Sequence, residues 1–199
     1  MRARKKGFFE SDHFAKVLAE DVALAKQRMD NCPTEAHRRD FVRATHAAIE
    51  AQSWQLRMYL IEHVLDRKAA PHYEISALKE ETYVINDKGE IYVQPKGYSL
   101  KVSLRLVLSI LKRHGIPMHV DFCSAEWGNI DHAVKIRNRI THPKSMKDIE
   151  VSKEDAERCY HAYAYVHAML LNAIFGSAIA ALNAGPTAKK RSSFFSSAT

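Results

Sequence analysis

Glycine and proline are scarce in this chain, at 7 and 6 of 199 residues. Loop-rich β architectures need both residue types for their turns, so the shortage points to helices. Cysteine is scarcer still. Cys32, Cys123 and Cys159 are odd in number, far apart and never in a CxxC pair. That pattern speaks against a disulfide frame or a zinc knuckle and reads as reduced thiols of an intracellular protein. No apolar run approaches the roughly 20 residues that a membrane span needs. The basic start over residues 1–10 also lacks the apolar stretch of a secretion signal. A cytoplasmic protein without a membrane partner is expected. No glycine-rich phosphate loop occurs, which sets aside ATP- or NAD-dependent chemistry, and no cofactor is expected.

What is present suits a helical domain. Hydrophobic residues make up 46% of the chain, enough for one domain with a real core. The net charge of +7 resembles a nucleic-acid signal until it is located. Arg2, Arg4, Lys5 and Lys6 at one end, with Lys189, Lys190 and Arg191 at the other, account for all of it. The body between is neutral, so strong non-specific binding to duplex phosphates by the folded domain is not implied.

Periodicity then divides the chain. Phe14, Val17, Leu18, Val22 and Leu24 predict a helix over about 11–30, with Ser11 as its cap. A second, longer helix runs from Thr34 to about residue 67. A short helical piece over 74–79 leads to a β-hairpin, 82–86 and 90–94, around a loop containing Gly89. Two strands alone are marginal, so the hairpin must lie against helices or a partner. Residues 99–114 read as a helix that is apolar almost all round and therefore central to a bundle. Another helix spans 124–141. After a polar loop, Ser152 and Asp155 form a capping box for a last helix that reaches about residue 182. The expectation is an all-α, antiparallel four-helix-type bundle with an extra N-terminal helix and a hairpin insertion at about 82–95. It forms one domain over 11–184, with a flexible basic segment at 1–10 and a disordered basic, serine-rich tail at 185–199.

The chemistry concentrates where the fifth helix runs into Pro143. Arg137, Asn138 and His142 lie within six residues. They supply a forked cation suited to phosphate, an amide, and a group that titrates near neutral pH. Asn138 and His142 stack one turn apart, while Arg137 is rotated away from His142 on a regular helix. Pro143 biases His142 out of the α region, which would let the imidazole swing towards the guanidinium.

The run Arg137-Asn138-x-x-x-His142 resembles the signature of the HEPN superfamily (higher eukaryotes and prokaryotes nucleotide-binding). Its place before a polar loop and a final long helix is also similar. The hairpin departs from the plain HEPN bundle and leaves the subfamily open. The resemblance implies a metal-independent endoribonuclease, often a toxin or phage-defence component, acting as a homodimer with its motifs facing across a cleft. It implies Arg137 and His142 as catalytic, Asn138 as a polar helper, and an acid on an earlier helix that supports the basic cluster, here Glu50. RNA is then the substrate, and an antitoxin or other protein a further partner. The alternative is a non-catalytic module of the same fold that binds a nucleotide, RNA or protein, because arginine, histidine and proline are also ordinary helix-ending chemistry. A third reading is a small regulator that meets acidic partners through its basic tails.

Other constellations carry less. His46 and Glu50 share a helical face without a second metal-binding histidine, and read as a surface ion pair. His119 and Asp121 form a weak ligand pair, and no metal site is expected. The aromatic run over 160–167 reads as core or dimer surface. Cys123 and Cys159 read as buried, inert thiols.

Overall fold

The computed structural model describes residues 8–65, 70–116 and 118–183. Within them the chain is an all-α bundle interrupted by one antiparallel hairpin. Helix α1, Phe8–Asn31, starts a turn earlier than the sequence suggests. Ser11 therefore sits inside α1 and does not cap it, and residues 8–10 are helical. The basic residues of segment 1–7 and the tail 185–199 lie outside the described residues.

Helix α2, Glu35–Tyr59, begins as predicted: the Thr34 hydroxyl accepts from the His37 N–H at 3.2 Å. Past Tyr59 the coil widens into a π-helical turn, Leu60–Leu65, where the sequence suggested plain helix. The wider turn places Leu60, Val64 and Leu65 together in a cluster with Leu56, Leu78 and Leu111. Packing overrides propensity there.

Helix α3, His72–Leu78, leads to β1, Glu81–Ile85, and β2, Ile91–Pro95. Tyr83 pairs with Val93, and Ile85 with Ile91. Gly89 takes φ 79° in the connecting loop, a conformation that favours glycine. The hairpin lies against helices at its base. Arg57, buried in α2, holds Glu80 at 2.8 Å, and the Tyr83 hydroxyl meets Ser76 at 3.1 Å. Its far end, with Ile85 and Ile91, is exposed.

Helix α4, Leu100–Arg113, is capped by Ser99 and is not the buried centre that the sequence suggested. Leu104, Val107, Leu108, Ile110 and Leu111 face inward, whereas Val102, Arg105, Ser109 and Lys112 are exposed. The helix is amphipathic because its polar residues fall on one side at helical spacing. The centre is α2, which packs against α1, α4, α5 and α6. It fully buries Phe41, Ile49 and Leu56, each worth about 1.5–3 kcal/mol of transfer free energy.

Helix α5, Ala125–Thr141, is capped by Ser124, and α6, Lys153–Asn183, follows. The capping box at α6 forms as predicted, with Ser152 and Asp155 exchanging hydrogen bonds at 3.0 Å. Neighbours joined by short connections run antiparallel: Arg158 bonds Asn129, His132 bonds Asp155, and Arg139 reaches the Glu150 carbonyl. Along α2 and α6 the contacts advance together, from Arg38 with Val151 through Gln52 with His167 to Tyr59 with Ile174. These two helices run the same way.

The stretch Lys153–Ile179 of α6 is, against the sequence expectation, long and apolar enough to cross a membrane by length and composition. In the bundle it buries Cys159, Ala162, Val166, Met169 and Ala173 against its neighbours, but only 28% of the apolar stretch is buried, and Leu171, Phe175 and Ile179 are exposed.

Candidate functional site

Trp127, Ile130, Ala133, Ile136 and Ile140 fix the rotation of α5 by pointing inward. Helical geometry then leaves Arg137, Asn138 and Thr141 towards the outside. From this position Arg137 reaches across to α2. Its Nη2 lies 3.9 Å from Glu50 Oε1, and its Nη1 donates to Asn138 Oδ1 at 3.1 Å. The Thr141 hydroxyl donates to the Arg137 carbonyl at 2.6 Å, tying the last turn of the helix.

The same Glu50 oxygen accepts from His46 Nε2 at 3.2 Å. His46 is 5% exposed, and its Nδ1 is buried without a partner. The ring proton therefore sits on Nε2. Burial lowers the His46 pKa from its ordinary value, and the Arg137 charge pushes the same way, against the pull of Glu50. A neutral imidazole thus steadies a carboxylate that in turn holds a guanidinium. The pair read from sequence as a surface feature is half buried, because His46 faces the bundle and Glu50 faces solvent.

His142 caps α5 at φ −126° and ψ 60°, outside the helix as Pro143 requires. Its N–H donates to the Asn138 carbonyl at 3.0 Å. The imidazole is exposed, and among the described residues it makes no hydrogen bond or ion pair. The structure thus joins Arg137, Asn138 and Glu50 but does not bring His142 onto Arg137.

Sequence reading missed the clamp on the loop that follows. Arg139 Nη2 donates to the Glu150 carbonyl at 2.7 Å, and Nη1 to the Lys147 carbonyl at 3.3 Å. From α2, Arg38 holds the Val151 carbonyl and Arg39 that of Ile149. Asp148 accepts from the Ser145 hydroxyl and from the Lys144 and Ser145 N–H groups, which hold its carboxyl below the usual range. Asp155 is also lowered: burial opposes this, but Ser152 and His132 prevail. The arginine two positions past Arg137 is therefore a strut for the loop after His142. Only the placement of carbonyls far along the chain gives it that role, and spacing offers no hint of it.

Two clefts, of about 490 and 450 Å³, lie along α1. Neither is lined by Arg137, Asn138 or His142; Asn138 and His142 are exposed and Arg137 is half-buried. Among the described residues no three His, Cys, Asp or Glu side chains are grouped to hold a metal. Asp121 caps the Cys123 N–H instead, at 2.8 Å. His167 bonds Gln52 at 3.0 Å and stacks on Tyr163, placing part of the aromatic run against α2. Burial pushes the Cys159 thiol up to about 12, the inert state predicted. Cys123, predicted buried, is exposed on the turn before α5.

Comparison of the chain with family models, with curated proteins and with solved structures finds no match.

Proposed function

We propose that the protein is a metal-independent endoribonuclease of the HEPN type, working as a homodimer. The observation that carries this reading is Arg137 paired with Glu50 on the outer side of α5, with the exposed, unpaired imidazole of His142 five residues further on. The arrangement suits RNA cleavage through the substrate's own 2′-hydroxyl. That reaction needs a base for the hydroxyl, an acid for the leaving 5′-oxygen, and cations for the phosphorane charge. One chain offers one free histidine in the motif. A two-fold partner supplies the second His142 and Arg137, so that one imidazole takes the proton and the other returns one. Glu50 aims the guanidinium and Asn138 orients it. A role as a toxin or phage-defence component, with a cognate protein partner, belongs to this reading. So does a cytoplasmic location.

A second reading, a non-catalytic module of the same fold, draws on the partial neutralisation of Arg137 by Glu50. Incubation of RNA with the purified protein in EDTA separates the two. Fragments ending in 2′,3′-cyclic phosphate and 5′-hydroxyl groups support the nuclease. Binding without cleavage supports the module.

A further inference from the structure

The central helix is enclosed on nearly every side. Between Phe41 and Tyr59 its exposed residues are Arg43, Glu50 and Trp54. Spacings of seven and four place them on one narrow stripe. Glu50 on this stripe is the residue that Arg137 reaches from α5. Trp54 stands one turn beyond it, about 6 Å further along the axis. It is 40% exposed, whereas the chain's other tryptophan, Trp127, is 2% exposed and packed in the core.

We propose that this open stripe is the track for one strand of RNA, with Trp54 stacking on an unpaired base next to the phosphate held at Arg137. The inference rests on the ribonuclease reading and adds to it a residue that selects single-stranded substrate. Two arginines border the stripe, each within reach of a phosphate. Arg43, paired at 3.1 Å with the exposed Asp40, lies on the near side of the stripe, and Arg137 flanks its middle. The one acid within it, Glu50, is already engaged by Arg137 and His46. An exposed aromatic face with arginines beside it, at about one-nucleotide spacing, is how proteins hold single strands without reading sequence. A duplex keeps its bases stacked and cannot use the indole.

The test uses a short oligouridylate with 2′-O-methyl riboses, which binds but cannot be cleaved. Trp54 emission is expected to be quenched on titration, with Trp127 as the buried reference. Trp54→Ala should weaken binding roughly 5- to 150-fold. It should raise KM for RNA cleavage while leaving kcat nearly unchanged. Trp54→Phe, which keeps a stacking face, should restore most of the affinity. Equal binding by wild type and Trp54→Ala, with cleavage retained, overturns the stacking role and leaves the ribonuclease reading standing. A wild type that neither binds the oligomer nor cleaves RNA removes both. Emission that follows protein concentration and ignores RNA assigns the stripe to a second copy of the chain and overturns the track.

Discussion

Arg137 on α5 and Glu50 on α2 meet at 3.9 Å, and the same Glu50 oxygen accepts a hydrogen bond from Nε2 of buried His46. The guanidinium is thereby pointed at solvent from a fixed base instead of ranging freely. A half-exposed ion pair of this length adds little to stability, about 0–1 kcal/mol. Its value lies in orientation.

Glu50→Gln should therefore melt close to wild type while RNA cleavage slows on the order of 10- to 100-fold, the cost of a slightly misplaced group. Thermal unfolding and initial rates on one preparation check this. Unchanged rates would separate Glu50 from the site.

The neutral state of His46 has a consequence for pH. Its folded pKa is lowered, so the unfolded chain, with an ordinary value near 6.5, takes up the proton first as pH falls. The contribution of His46 to stability is complete above about pH 6.5 and is lost below it, towards the lowered folded value. His46→Gln retains a donor for Glu50 and should flatten that part of the stability curve. Denaturant midpoints between pH 5 and 7.5 report the difference.

Arg139→Ala should cost about 1–3 kcal/mol, since it strips donors from two loop carbonyls and a partner from Asp155. Arg139→Lys should not repair it, because an ammonium cannot span two carbonyls as a planar fork does. Limited proteolysis of the loop, residues 143–151, should speed up in both variants. Resistance equal to wild type would mean that the other arginines suffice.

The thiols should react unequally. Cys32 and Cys123 are exposed, whereas Cys159 is buried and its thiol is pushed up to about 12. An aromatic disulfide reagent should modify two thiols in the native protein and the third only on unfolding. Early labelling of Cys159 would contradict its packing in the α2–α5–α6 core.

Much of the fold was legible in the sequence because its signals are local. The caps Thr34, Ser99, Ser124 and Ser152 act within three residues, and Gly89 marks its own turn. What was not legible depends on distant neighbours. Whether α4 or α2 lies at the centre is decided by how many helices surround each, and apolar content alone misled. The same holds at the site. Arg137, Asn138 and His142 stood out by spacing, but spacing could not show that His46 turns inward beneath Glu50, or that Arg139 props a loop. The π turn at Leu60–Leu65 has no propensity signal at all; the core cluster around Leu56 and Leu111 imposes it.

The most direct measurement is the rate of RNA cleavage in EDTA by wild type, His142→Ala and Arg137→Ala, with helical content confirmed for each. The nuclease reading predicts metal-free cleavage by wild type. It predicts a loss of at least about 100-fold in each folded variant, the scale of a general acid–base group or of a charge-stabilising donor. Cleavage that persists in both variants, or a wild type that binds RNA and leaves it whole, would contradict it.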